Sequence, residues 1–405
     1  MPTEKDVEHD VTAPALRTAR MDRLETLSLS VLLCFVAALQ LSVAASGVLL
    51  ALTLLCWVAL LVTREEEQFG VPRFFWPLAV YAAVTLISST ASVDPGVSIV
   101  DSKQLVLFLI VPLVYRLARG HRAHLFASVI IAVGAASALV GLFQYGFLQF
   151  DNLGRRPEGM LTHYMTYSGA LMLVACVAGA RVLFGRHDRT WPMLVLPAIL
   201  VALGLTFTRS AWVGLCIGMA VLLSLRDRRL VAGIPVALAL AIVVAPSSVT
   251  DRFYSIFDLQ DPTNRDRVAM LKSGAAMVED HPLTGVGPDQ VKAVYQVYRV
   301  PESVQPLNVH LHNVPMQIAA ERGLPALVVW LWFVITVARD LYRRVQHRTG
   351  ATRALAAGAL ASLVAMLGAG FFEYNFGDSE FLMLLLVILT LPFAAERPES
   401  VHGHP

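Results

Sequence analysis

Apolar residues occur along this chain in long blocks separated by short polar turns. A helix that crosses a bilayer needs about 20 apolar residues, within a range of about 17 to 25. Twelve intervals reach or approach that length: 26–44, 46–63, 74–92, 100–117, 124–147, 163–184, 191–208, 211–225, 230–246, 314–338, 353–372 and 379–396. The first two are parted only by the small-residue hinge Ala45-Ser46-Gly47. The interval starting at Ala211 is short, as expected of a tilted or partly embedded helix. One polar interval is long, and it lies between the ninth and tenth spans. The pattern predicts an all-α integral membrane protein with about 12 transmembrane helices and a large helical loop. Its divisions are a tail at 1–25, nine spans over 26–246, the loop at 247–313, three spans over 314–396 and a tail at 397–405.

The loop has an order of its own. In "TNRDRVAMLKSGAAMVED", Val268, Met270, Leu271, Ala275 and Val278 recur at helical spacing, and Asn264 is placed to cap the helix. Pro282, Gly285, Gly287 and Pro288 then predict a turn. "DQVKAVYQVYRV" predicts a second short helix. Pro301 and Pro306 force an extended segment into "NVHLHN", where His310 and His312, two apart, are expected to face one side. Asn313 can cap the next span, with Pro315 in its first turn.

Composition agrees with a membrane chain: 56% of the 405 residues are hydrophobic and 15% charged, against about a quarter charged in soluble domains. The net charge of +2 gives no support for a nucleic-acid partner. All four cysteines, Cys34, Cys56, Cys176 and Cys216, fall in apolar spans, so they read as packing residues and imply neither disulfides nor a thiolate metal site.

Where the charges sit predicts orientation. Arg17, Arg20 and Arg23 precede the first span. With that end inside the cell, every second turn is basic: Arg64 and Arg73; Arg116, Arg119 and Arg122; Arg181, Arg186 and Arg189; Arg226, Arg228 and Arg229; Arg339, Arg343, Arg344, Arg348 and Arg353. By the positive-inside rule both termini are cytoplasmic and the long loop is outside. Lys103, Arg155, Arg156 and Arg209 break the rule by lying on the loop's side. A lone basic residue there is ordinarily a snorkelling side chain, but several facing one compartment point to an anion site.

Arginine offers a planar fork that matches phosphate oxygens in pairs and stays charged when desolvated. Arg209, at the membrane surface before "SAWVG", is the sharpest candidate. Arg265 and Arg267 open the loop helix, and two positions apart they do not share a face. Together the cations suit a diphosphate-lipid headgroup, with membrane lipids as the surroundings. Either His310 or His312 is suited to be a general base. A His-x-His metal site lacks a well-spaced third ligand, His281 with Glu279 or Asp280 being the nearest. His163 and Tyr164 are weaker candidates. No nucleophile elbow, Walker loop or His-Glu-x-x-His is present. A secondary transporter or flippase would carry internal repeats and charges near the bilayer midplane, neither of which is evident.

"NRDRVAMLKSGAAMVEDHPLTGVGPDQ" followed by "HLHNVPMQIAAERGLPALV" resembles the O-antigen ligase and polymerase superfamily of bacterial envelope glycosyltransferases. The family has His-Pro-Leu-x-Gly-x-Gly in its large loop, then His-Asn, nine residues and Gly-x-x-Gly; here His312-Asn313 leads to Gly323, with Ala326 in place of the last Gly. "TFTRSAWVG" resembles the Thr-x-x-Arg stretch with Arg209, and "RRPEGMLTHYMTYSG" the Arg-x-x-Gly stretch with Arg156. The resemblance implies a GT-C-type fold in the bacterial inner membrane and a metal-independent, inverting transfer at the periplasmic face without a cofactor. The donor would be O-antigen on undecaprenyl diphosphate, and the acceptor a sugar hydroxyl of lipid A-core. It implies His312 as base, with Arg209 and Arg265 or Arg267 holding the diphosphate. Arg155, Arg156, Lys103, His310 and Asn313 are further candidates for binding. A polymerase would use the same donor.

Overall fold

The computed structural model describes residues 23–63, 70–185 and 188–398. Arg17, Arg20, Arg64, Arg186 and most of both tails lie outside that description. The regular structure of the described residues is helical, with a single isolated bridge between Asn152 and Arg155 and no strand among them. Helix α1 covers residues 23–38. It is followed by α2 Val43–Thr63, α3 Phe75–Thr90, α4 Pro95–Asp101, a 3-10 stretch Ser102–Leu109 and α5 Ile110–Leu117. Next come α6 Arg122–Gly146, α7 Tyr164–Phe184, α8 Thr190–Gly204, α9 Arg209–Arg226 and α10 Gly233–Val244. The long polar interval holds α11 Ser247–Tyr254, α12 Pro262–Asp280 and α13 Val291–Tyr298. The chain closes with α14 Val314–His347, α15 Gly350–Gly370 and α16 Ser379–Ala394.

A helix lies in each of the twelve apolar intervals. Seven segments are long and apolar enough to cross a membrane, and α3, α8 and α16 are shorter apolar helices. This is a multi-pass membrane protein. Helix α10 has 12 residues, about 18 Å at 1.5 Å per residue, against a hydrocarbon core of about 30 Å. Pro235 confines its regular part, and most of its side chains are exposed.

Helices α7, α9 and α15 form the centre. Their packing rests on small side chains: a Cβ on Gly214 would come within 2.6 Å of the Ala365 carbonyl, so α9 and α15 approach at backbone distance. Helices α7 and α15 are buried nearly from end to end.

The polar interval folds around its own small core of Met270, Met277, Val286, Val291, Tyr295, Leu311 and Ala320. It contains three helices where the sequence pattern predicts two. The cap of α12 is Asp261, whose carboxylate accepts from the Thr263 and Asn264 amides, with Pro262 in the first turn. The expected cap, Asn264, instead donates from its side chain to the Ser255 and Asp258 carbonyls and ties α11 to α12. The buried face of α12 carries Asp266, Met270, Ser273, Gly274 and Met277, while Val268 is exposed. Polar and small residues win that face because Asp266 accepts from the Val304 and Gln305 amides and so closes the loop beneath it.

The turn at 282–288 is a plug for a broken helix. Helix α14 is interrupted at Gly323, which takes φ 79°, and Pro325 supplies no amide. The plug meets the freed backbone groups: Val286 donates to Ala320 (2.8 Å), Gly287 to Glu321 (2.9 Å), and Leu324 donates back to Pro282 (2.8 Å). A Cβ at Gly285 would lie 2.3 Å from the Glu321 carbonyl carbon, so this contact requires glycine. Ser88 on α3 and Ser98 on α4 donate to the Thr284 and Pro288 carbonyls and anchor the plug to the membrane helices. The plug is thereby tied to α3, α4 and α14.

Candidate active site

The first half of the site is a histidine–carboxylate cluster. His312 has φ 47°, a left-handed conformation that a non-glycine residue takes at some cost. That kink, and no extended strand, brings the His310 and His312 rings to 4.3 Å between centroids. Both rings turn to Glu373, beyond the end of α15. His312 Nδ1 is 3.1 Å from each carboxylate oxygen and His310 Nε2 is 3.5 Å from one of them. Burial pushes the Glu373 carboxyl up, but its hydrogen bonds to the two histidines outweigh that and hold it well below the usual carboxylate range. An ionised carboxylate only accepts, so the His312 Nδ1 that faces it is the donor. The three groups offer ligand atoms within 4.8 Å of one another, a geometry that also admits a metal ion; the third group is Glu373 and not His281. Asn313 caps α14 through the Met316 amide and donates to the Phe371 carbonyl, which fixes the adjacent backbone.

The second half is cationic. Arg209, at the first turn of α9, has a side chain only 5% exposed. It donates to the Ser255 carbonyl (2.8 Å) and hydroxyl (2.9 Å) and pairs with Asp261 at 3.3 Å. Arg267 on α12 is half-buried and its buried Nε has no partner. Burial lowers its pKa, Glu373 opposes this and Arg209 adds to it. Arg252 on α11 donates to the Phe207 carbonyl (3.4 Å). Burial, with Arg209 and Arg156 nearby, pushes its guanidinium down to about 10. The Arg156 guanidinium lies 4.2 Å from the Tyr164 ring centroid, and it too is lowered by burial and Arg209. Four arginines thus feel one another, with Asp261 and Glu373 as the carboxylates that compensate them. An uncompensated excess of fixed cations in a half-buried place is a site for a polyanion.

Beside the histidines opens a cavity of about 300 Å³ with a different lining. His310, Glu373, Tyr374, Asp378, Asp101 and the Glu321–Arg322 pair face it, and none of the four arginines does. Arg322 bonds Glu321 at 2.6 Å, donates to the Tyr374 hydroxyl at 3.3 Å and lies 3.9 Å from Asp101. Asp378 caps α16 and accepts from Thr166. Carboxylates and hydroxyls in such a lining suit the hydroxyls of a sugar.

Residues 193–331 match the family model described as O-antigen ligase. No curated protein matches the chain. Over that stretch the chain is similar to the O-antigen ligase family. The matched stretch holds Arg209, Arg252, Arg267, His310 and His312, while Arg156 and Glu373 join the site from outside it.

The residues expected from sequence divide clearly. His310, His312, Arg209, Arg267 and Arg156 come together. Arg265 is exposed on the other side of α12, because two helical positions turn a side chain by about 200°. Lys103 is exposed, and Arg155 stacks on Phe150 at 4.3 Å, away from the cluster. His163 caps α7 through the Met165 amide and also lines the cavity. Four contributors were missed. Glu373 is 61 residues from His312 and looks like an ordinary interfacial acid. Arg252 is marked only by its place after an apolar run. Glu321 and Arg322 hide within an apolar span: the pair is buried in α14 and mutually neutralised.

Proposed function

We propose that this protein is an O-antigen ligase. It transfers polysaccharide from undecaprenyl diphosphate to a sugar hydroxyl of lipid A-core and so completes lipopolysaccharide. The observation that carries the reading is the meeting of four arginines with a His–Glu pair on one face of the helices. In this reading Arg209, Arg267, Arg252 and Arg156 bind the diphosphate, and the sugar-suited cavity beside His310 takes acceptor hydroxyls. Glu373 holds the proton on His312 Nδ1, so Nε2 receives the proton of the attacking hydroxyl. The new bond forms at the anomeric carbon as the bond to the diphosphate oxygen breaks. The lipid diphosphate leaves with its charge held by the arginines. Attack opposite the leaving group inverts the anomeric centre, and no metal is required. We further propose that all twelve apolar intervals cross or enter a bacterial inner membrane on a GT-C-type framework. Both termini would be cytoplasmic and the site periplasmic, as the arginine distribution supports.

The test is reconstitution of the purified protein with undecaprenyl-diphosphate glycan and lipid A-core. Glycan on the core supports the ligase; elongation of lipid-linked glycan without core makes it a polymerase. His312→Ala is expected to lower transfer by about 10²- to 10⁴-fold. Full transfer by that variant would remove His312 as base, and activity that vanishes with EDTA and returns with a divalent ion would sink the metal-free mechanism.

A further inference from the structure

The far ends of the same central helices hold a second cationic cavity. The C-terminal ends of α7 and α9 and the start of α15 enclose about 390 Å³, lined by Arg189, Arg226 and Arg353 with Leu183, Phe184 and Thr349. Helix α7 has 21 residues, about 31 Å, so this cavity is one hydrocarbon thickness away from His163 and the candidate active site. It lies where lipid headgroups meet water.

Three features mark it as a built anion site. First, among the described residues no carboxylate lines it, and the neighbouring Asp188 is taken by Arg181. Second, Arg353 is held in place: its guanidinium lies 4.9 Å from the Phe184 ring centroid and donates to the Leu225 carbonyl at 3.4 Å, yet its buried Nε has no partner. A buried donor left open costs free energy that a bound acceptor would recover. Third, neither Thr349 before α15 nor Arg189 before α8 makes a side-chain cap, so no capping side chain occupies the first amides of those helices. Leu183 and Phe184 add an apolar wall that inorganic phosphate would not use but an acyl chain would.

We propose that this cavity binds the phosphate of an anionic phospholipid, with Arg353 and Arg226 as the principal ligands and Phe184 against the chain. Arg189 adds charge at the rim. The lipid would clamp the ends of α7, α9 and α15 and so steady the helices whose other ends carry Arg209 and Glu373.

The test uses the full-length protein, delipidated in detergent, titrated with phosphatidylglycerol, phosphatidylcholine or inorganic phosphate and read by native mass spectrometry and thermal melting. Phosphatidylglycerol is expected to be retained in preference to phosphatidylcholine. Arg189→Gln with Arg226→Gln, both exposed side chains whose loss does not disturb packing, is expected to weaken that retention about thirtyfold. Arg353→Gln should weaken it further. Equal retention of the two lipids, or undiminished phosphatidylglycerol binding in the double variant, overturns the proposal. Inorganic phosphate that stabilises as well as phosphatidylglycerol, with the effect lost in the double variant, overturns the lipid assignment in favour of free phosphate.

Discussion

Arginines gather at both ends of the bundle of α7, α9 and α15, and the two ends differ in how those arginines are held. At the end of the candidate site Arg209 is buried, bonded to Ser255 and paired with Asp261, and three more arginines are brought to it by separate segments. At the far end Arg189 and Arg226 are exposed, and Arg353 has an aromatic ring and a carbonyl but no acid. The residue type is the same. What differs is desolvation and partners: a guanidinium fixed by hydrogen bonds in a half-buried place loses little further freedom when it takes up a phosphate. An exposed one serves first to orient the chain in the membrane.

That contrast can be broken by experiment. The largest effect is expected at Arg209. Arg209→Ala should lower glycan transfer by about 10²- to 10³-fold, and Lys should recover only part, because a point charge lacks the fork. Arg343→Gln, an exposed arginine near the far end of α14, should leave transfer within a factor of about two. Equal loss at both ends, or complete rescue by Lys, would erase the distinction. A smaller effect separates neighbours on the loop. Arg252→Ala should raise the KM for the lipid-diphosphate donor by about tenfold, the worth of one charged hydrogen bond, whereas Arg265→Ala should leave it unchanged. The reverse order would mean that the exposed arginine turns inward when substrate arrives. The smallest effect is on stability against pH. The Glu373 carboxyl is held below its ordinary value by His310 and His312, so its contribution is complete above the unfolded value of about 4.3. It should fade as pH falls below that. Wild type should therefore lose melting temperature between about pH 4.5 and 3 more steeply than Glu373→Gln; parallel curves would argue against an ionised Glu373.

Much of the fold was legible in the sequence because bilayer crossing imposes a length and an apolar content that a reader can count. The helix over α12 and the turn at Pro282–Pro288 were legible for the same local reason. The purpose of that turn was not. Gly285 and Gly287 read as turn residues, but their neighbours are the backbone of α14 and Ser92 of the polypeptide leading into α4, contacts that no local pattern records. The cap at Asp261 was missed because Asn264 is an equally good capping type, and only the Pro262 start decides between them.

The candidate site divides in the same way. Sequence alone determined that cations and two histidines would collect on one side of a bundle of apolar helices, because charge asymmetry and helix length set which turns share a face. It also determined that Arg265 and Arg267 could not act together, because the helical repeat parts them. Only the tertiary structure decided that Arg267 is the inward one. It alone placed Glu373 against His312 across 61 residues, and brought Arg156 and Arg252 to Arg209. The physical reason is that membrane insertion depends on composition summed along a segment, whereas a catalytic pair depends on which side chains meet once the broken helix α14 has been plugged and the loop closed over it.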